Sequence, residues 1–160
     1  MQLFGIKLCE NRFCLYFRKK PSAFDGIQGE ADVTGNGGAY AKDYGCQFPA
    51  MISDWRQKWS LMSDTDATFP FGFVQLSVWN DETENVTCGN SSNTACTNAG
   101  IVRWGQTGNY GYVPNPKMKN VFMATAIDLG DPTSPWNSDI HPRYKQGVAQ
   151  RLTNAGKNVI

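Results

Sequence analysis

The residues that could do chemistry gather around a single histidine. His141 is the one imidazole of the 160-residue chain, and Asp139 precedes it by two positions in the segment SDIHPR. A carboxylate beside an imidazole can fix its tautomer, which suits the histidine to act as a general base. The alternative interpretation is a surface or helix-cap position, because Asp139 also suits the N-cap of a following helix.

Two other clusters combine polar groups with a glycine or an aromatic ring. A glycine lets backbone amides approach a ligand closely, and a neighbouring glutamine amide can polarise a carbonyl oxygen. An aromatic face beside hydrogen-bonding groups suits a sugar ring. A turn and ordinary helix packing are the alternative interpretations. The first cluster is Gln28-Gly29-Glu30, and the second is Arg103, Trp104 and Gln106.

The elements that must position these residues follow from the apolar pattern. A stripe at helical spacing predicts a helix with Pro49 in its first turn and with this buried face: Phe48, Met51, Ile52, Trp55 and Trp59. Two nearly continuous apolar runs, Phe71–Val78 and Val121–Ile127, are typical of strands that are covered on both faces. A short strand is also expected at Arg12–Phe17.

The remaining segments complete an alternating order of helices and strands. We expect a short helix at Ala99–Thr107 and a last helix at Pro142–Leu152 whose inward side chains are Tyr144, Val148, Ala149 and Leu152. Glycine, proline and polar residues predict loops at Asp32–Gly45, Asp81–Gly100 and Tyr110–Lys119. Helix, strand, helix, strand, helix predicts an α/β layered fold with a parallel sheet.

This order concentrates acidic residues beside the histidine. Asp128, Asp131, Asp139 and His141 all fall in the loop after the second predicted strand. The carboxyl end of a parallel strand is a favoured position for functional residues. Each aspartate is also suited to a turn or a cap.

Composition excludes several classes of partner. Charged residues make up 18% of the chain and the formal net charge is +1, so no nucleic-acid partner is expected. No apolar run approaches the roughly 20 residues of a membrane helix, so no membrane insertion is expected. One histidine and no paired cysteine spacing argue against a metal site, and no cofactor is expected.

Evidence on the compartment points in two directions. Asn85 and Asn90 each begin an N-glycosylation sequon in one polar loop, and Cys88 and Cys96 bracket that loop closely enough for a disulfide. The five cysteines leave one thiol free or paired outside the chain. The first ten residues have neither a long apolar region nor a small-residue cleavage site, so no signal peptide is predicted.

Six blocks, in order from Gln28 to about Leu152, resemble the sialate O-acetylesterase family. The blocks are Gln28–Glu30 (QGE), Cys46–Arg56 (CQFPAMISDWR), Phe69–Ser77 (FPFGFVQLS), Ile101–Thr107 (IVRWGQT), Gly111–Met118 (GYVPNPKM) and Asp139–Arg143 (DIHPR). The resemblance implies a three-layer α/β/α fold of the SGNH-hydrolase type with a parallel sheet. It also implies removal of O-acetyl groups from sialic acids of glycoconjugates through an acyl-serine intermediate, in a lysosomal or secreted glycoprotein.

The resemblance assigns roles by position. His141 matches the general base and Asp139 the carboxylate partner, with Asp128 and Asp131 as alternatives because SGNH enzymes more often place the acid where this chain has Ser138. Two blocks match the oxyanion and substrate region: Gln28, Gly29 and Glu30 in one, and Arg103 with Gln106 in the other.

One departure bears on the mechanism. The family's serine nucleophile lies in a Gly-Gln-Ser-Asn block upstream of Gln-Gly-Glu, and the 160 residues contain no such block. We therefore expect a partial domain over residues 26–160, incomplete at its N-terminal side, behind a leader at 1–25 without family resemblance. Impaired catalysis follows from this expectation, and a catalytically inactive carbohydrate-binding unit is the alternative.

Overall fold

Helices alternate with two parallel strands along most of the described chain. The computed structural model describes residues 7–9, 12–14, 29–62, 66–79, 94–135 and 139–159. The strands are β1 (Lys7–Cys9), β2 (Arg12–Cys14), β3 (Phe71–Gln75) and β4 (Val121–Thr125). The helices are α1 (Glu30–Thr34), α2 (Ala39–Met62), α3 (Thr94–Gly105) and α4 (Lys145–Gly156), with a 3₁₀ turn at Gly35–Gly38.

The central pairing is the parallel one that the apolar runs predict. β3 and β4 are in register from Phe71 opposite Val121 to Gln75 opposite Thr125. The α/β class is therefore confirmed. The strand expected at Arg12–Phe17 is confirmed over β2, which pairs antiparallel with β1, and residues 15–17 lie outside the described ranges.

The apolar stripe of α2 forms much of the core, as predicted. Phe48 and Ile52 are buried, and the Phe48 ring meets Phe73 of β3 edge-on at 5.0 Å between centroids. Met51 and Trp55 pack against the same cluster. The helix thus covers one face of the sheet.

Two predictions about α2 are wrong. The loop expected at Asp32–Gly45 is helical throughout: it comprises the end of α1, the 3₁₀ turn and the start of α2. Ala41 and Tyr44 extend the buried stripe of α2 toward its N-terminus. Burial of these side chains outweighs the local glycine signals. Pro49 lies well inside α2, beyond its first turn.

The last helix starts later than expected. α4 begins at Lys145, and its N-cap is Tyr144 without a side-chain cap, so Asp139 is not the N-cap. Val148 is buried and Leu152 packs beside it, as predicted. Tyr144 is 59% exposed, so its predicted inward orientation is wrong. The same prediction is wrong for Ala149, which is exposed.

The other boundaries differ from the predictions more modestly. α3 extends from Thr94, earlier than the Ala99 predicted, to Gly105. β3 and β4 end at Gln75 and Thr125, before the apolar runs do.

The sequon loop at residues 80–93 lies outside the described ranges, as do Asn85, Asn90 and Cys88. Within the described ranges, no helix combines the length and apolar character needed to span a bilayer.

A single arginine ties α2 to the start of both parallel strands. Arg56 donates to the Phe69 carbonyl through Nε at 3.1 Å and Nη2 at 2.6 Å, just before β3. It also donates to the Lys119 carbonyl through Nη1 at 2.7 Å and to the Asn120 carbonyl through Nη2 at 3.1 Å, just before β4. Burial lowers the pKa of its guanidinium. One side chain therefore fixes both strand entries relative to the helix.

Replacing Arg56 by methionine should destabilise the fold strongly. Hydrogen bonds to a charged group contribute about 1.5–3 kcal/mol each, so we expect Arg56→Met to lower the free energy of unfolding by at least about 3 kcal/mol in urea denaturation. Lys58→Met is the matched control, because Lys58 on the same helix forms an i,i+4 pair with Asp54 at 2.8 Å. The control should change stability by less than about 0.5 kcal/mol. Equal unfolding midpoints for the two variants would contradict this role.

Candidate functional site

The loop between β4 and α4 carries the predicted base and all three candidate acids. It follows Thr125 at the carboxyl end of β4 and ends at Lys145, where α4 begins. Because β3 and β4 are parallel, their carboxyl ends meet at one edge of the sheet. Such edges are where open α/β sheets bind ligands.

Asp131 clamps the two ends of this loop together. Its carboxylate accepts hydrogen bonds from Arg143 Nε at 2.6 Å, from Arg143 Nη2 at 2.9 Å and from the Arg143 backbone amide at 3.1 Å. The Asp131 amide donates to the Asp139 carbonyl at 3.2 Å. The guanidinium holds the pKa of the Asp131 carboxyl well below its usual range. The clamp therefore holds the segment in which His141 lies.

Two hydroxyl groups complete the clamp. Thr133 Oγ1 donates to Asp131 Oδ1 at 3.1 Å and accepts from Arg143 Nη2 at 2.6 Å. Ser134 Oγ donates to the His141 carbonyl at 2.9 Å. Neither residue is among the predicted site residues. An aspartate followed two residues later by a hydroxyl residue is a recognisable turn pattern, which could have identified Thr133.

His141 and Asp139 differ sharply in exposure. Asp139 is 4% exposed and Ile140 is fully buried, whereas the His141 side chain is exposed. His141 lines a cavity of about 350 Å³ together with Pro142, Arg143 and Lys145. The imidazole is therefore accessible to a ligand, with a buried carboxylate two residues before it.

The other two candidate acids are each engaged by an arginine. Asp128 accepts from Arg151 Nη2 at 2.6 Å and from Nη1 at 2.5 Å. This ion pair lowers the pKa of Asp128 to about 2. Asp131 is engaged by Arg143 as described above. The structure gives both carboxylates roles in holding the loop and α4.

The predicted pair Arg103 and Gln106 lies at the carboxyl end of β3. Arg103 Nη1 donates to the Ser77 carbonyl at 2.8 Å, and burial lowers the pKa of its guanidinium. Gln106 is 1% exposed; its Oε1 accepts from the Leu76 amide at 3.0 Å, and its Nε2 donates to the Val74 carbonyl at 3.1 Å. The Gln106 amide thus bonds the backbone of β3 much as another strand would.

The loop and the end of β3 meet at Gly130. A Cβ added to Gly130 would lie 3.6 Å from Asp139 Cβ and 3.7 Å from Ser77 Oγ. Ser77 is 3% exposed, and its hydroxyl has no hydrogen-bond partner among the described residues. The structure therefore brings Asp139 close to the residue whose carbonyl Arg103 binds. Neither Ser77 nor Gly130 carries a sequence signal of this proximity.

The Gln-Gly-Glu block sits against α2 and α3. Gly29 has a φ of +122°, and a Cβ there would lie 2.7 Å from Val102 Cγ1, so only glycine fits. Glu30 begins α1, and Gln28 lies outside the described ranges. Burial raises the pKa of Tyr44, with smaller contributions from Asp32 and Glu30. This block is acidic and closely packed.

The pKa of Asp32 in α1 is also raised. The main cause is burial, with a smaller contribution from Glu30.

Within the described ranges, no three histidine, cysteine, aspartate or glutamate side chains lie closely enough together to hold a metal ion.

Removing the Asp131 charge should loosen the loop without unfolding the protein. In Asp131→Asn, the Arg143 amide loses its carboxylate acceptor, so we expect its hydrogen exchange to accelerate at least about tenfold. Asp128→Asn is the matched control, because it breaks the other exposed aspartate–arginine pair and leaves the Arg143 amide bonded. Equal exchange at Arg143 in both variants would contradict the clamp.

The chain is similar to proteins named sialate O-acetylesterase. It is 48% identical to that of Mus musculus and 45% identical to that of Homo sapiens, over 128 residues in each comparison. No protein-family model matches the chain. The aligned region is 78% of this chain and 21% of the mouse and human proteins, so the chain spans about a fifth of their length. The chain is therefore related to the sialate O-acetylesterases and corresponds to one part of them.

Proposed function

We propose that the chain carries the general-base part of an esterase that removes O-acetyl groups from sialic acids. The observation that carries the proposal is the placement of His141. Its side chain is exposed in a cavity, on a clamped loop at the carboxyl end of a parallel sheet. The relationship to proteins named sialate O-acetylesterase supports the substrate class.

The proposed chemistry is acyl transfer through a serine. The imidazole takes the proton of a serine hydroxyl as the oxygen attacks the acetyl carbonyl, and it then gives that proton to the departing sugar oxygen. Water, deprotonated by the same imidazole, releases acetate from the acetyl-serine. Because the 160 residues contain no Gly-Gln-Ser-Asn block, we assign the chain by itself only slow hydrolysis in which His141 activates water directly.

The other predicted site residues orient the base or contact the substrate in this proposal. Asp139 orients the imidazole from its buried position. The proposal assigns contacts with the substrate and the oxyanion to Gln28, Gly29 and Glu30, and to Arg103 with Gln106. The proposal includes an SGNH-type sheet and a lysosomal or secreted location, with glycans at Asn85 and Asn90.

A second candidate function is carbohydrate binding without turnover. The observation that favours it is a group of three exposed aromatic side chains after Arg103, namely Trp104, Tyr110 and Tyr112. Packing of a sugar on aromatic rings requires no nucleophile. The two candidates differ in whether acetate is released.

Replacing His141 should remove acetyl-ester hydrolysis. We expect the unchanged chain to release acetate slowly from 9-O-acetylated sialic acid and from 4-nitrophenyl acetate, without an initial burst and without an acetylated protein in mass spectrometry. His141→Ala should reduce this rate to that of buffer, because no other imidazole is present. Tyr144→Ala, at another exposed position just before α4, is the control and should keep the rate.

The outcomes separate the alternatives. Hydrolysis that survives His141→Ala overturns the role of the base. A stable acetyl adduct on a serine of this chain overturns the assignment of water as the nucleophile. Absence of hydrolysis by the unchanged chain overturns esterase function for the chain and leaves carbohydrate binding.

Asp139 rather than Asp128 should support the base. We expect Asp139→Asn to lower the His141-dependent rate at least about tenfold, because the imidazole loses the carboxylate that fixes its tautomer. Asp128→Asn should lower it less than about twofold, since Asp128 is exposed and bound to Arg151. Unfolding midpoints of both variants serve as the stability control. A larger loss in Asp128→Asn would assign the acid to Asp128 instead.

A further inference from the structure

Three of the five large aromatic side chains that are exposed among the described residues lie in one short segment. Trp104, Tyr110 and Tyr112 are 53%, 37% and 55% exposed, respectively. We call these three side chains the aromatic surface. Tyr110 and Tyr112 meet edge to face with ring centroids 6.1 Å apart. Clustered exposed aromatic groups mark interaction sites more often than isolated ones do.

Hydrogen bonds hold the backbone beneath the aromatic surface. Thr107 Oγ1 donates to the Trp104 carbonyl at 2.7 Å and accepts from the Gly111 amide at 2.8 Å. Asn115 Nδ2 donates to the carbonyls of Tyr112 and Thr107, both at 2.8 Å. Trp104 and Tyr112 are therefore anchored through two polar side chains, Thr107 and Asn115. Such preorganisation reduces the entropy that binding costs.

Gly111 joins the tryptophan to the tyrosines. Its φ of +80° favours glycine, and an added Cβ would lie 2.9 Å from Trp104 Cζ3. The backbone between Tyr110 and Tyr112 thus lies directly against the indole ring. The indole ring and the two tyrosines are therefore joined through the Gly111 backbone.

One cation borders this surface. Lys117 Nζ lies 5.7 Å from the centroid of the Tyr110 ring and donates to the Gly108 carbonyl at 3.2 Å. The segment from Trp104 to Asn120 contains no aspartate or glutamate. An ammonium group has three donors, so Lys117 retains donors for an acidic ligand. Rings beside the Lys117 ammonium group fit a ligand with an apolar face and a single carboxylate.

We propose that the aromatic surface and Lys117 bind the carboxylated sugar ring of a sialylated glycan. The C–H face of a pyranose packs on aromatic rings, whose faces are electron-rich, while the carboxylate pairs with Lys117. A nucleic acid would require a basic stripe, whereas this segment offers few cations and the whole chain carries a net charge of +1. The choice of sugar rests on the proposed function, but the surface lies on a different segment from His141.

Titration of the full chain with 3′-sialyllactose tests this proposal, with lactose as the neutral control. Backbone amide NMR shifts should change in residues 104–117 with 3′-sialyllactose and not with lactose. Tyr112→Ala and Lys117→Met should each weaken binding at least about fivefold. Tyr40→Ala, which removes an exposed tyrosine from α2, should leave binding unchanged.

The test distinguishes this surface from the esterase site. His141→Ala should abolish acetate release and leave the shifts that 3′-sialyllactose causes in residues 104–117 unchanged, whereas Tyr112→Ala should leave hydrolysis of 4-nitrophenyl acetate unchanged. Absence of binding by the unchanged chain, equal binding of lactose, or full binding by Tyr112→Ala would overturn the proposal. Dimerisation in sedimentation that Tyr112→Ala removes would assign the surface to a second copy and also overturn it.

Discussion

The guanidinium of Arg56 sets the geometry on which the rest of the structure depends. It binds carbonyl oxygens just before β3 and just before β4, so both strands start at fixed positions relative to α2. A parallel pair has no hairpin turn to fix its register, so its alignment must come from packing and from contacts of this kind. Because the strands start together, they end together, and their carboxyl ends supply a common edge for the loops that follow.

At that edge, side chains at the end of α3 and just after it bond the strand backbone as another strand would. The backbone groups that face away from β4 include the Val74 carbonyl of β3 and the Leu76 amide just after it, and the Gln106 side-chain amide bonds both. Unsatisfied buried groups would cost about 1–3 kcal/mol each, and an open edge invites pairing with other chains. Arg103 extends the same contact to Ser77. Residues that resemble a substrate-binding block therefore also hold the sheet edge.

The sequence predicts those parts of the fold that depend on repeated side-chain patterns. The α2 stripe and the two apolar runs give correct elements because burial acts on every residue of the pattern. The start of α2 was missed because the glycines around Gly37 give a strong local loop signal that the buried Ala41 and Tyr44 outweigh. The Asp131–Arg143 clamp was missed because its partners are 12 residues apart and no periodic pattern connects them.

The Asp131–Arg143 clamp and the Asp128–Arg151 ion pair determine how the loop responds to acid. The folded-state pKa of Asp128 is depressed to about 2, and that of Asp131 is also held well below its usual range. A depressed pKa means that each ion pair is fully formed above the ordinary carboxyl pKa of about 3.9 and is lost only as the pH falls through the folded-state value. Both pairs therefore stay intact between neutral and mildly acidic pH. The loop that carries His141 keeps its geometry over that range, so a change in activity there must come from groups other than these two carboxylates.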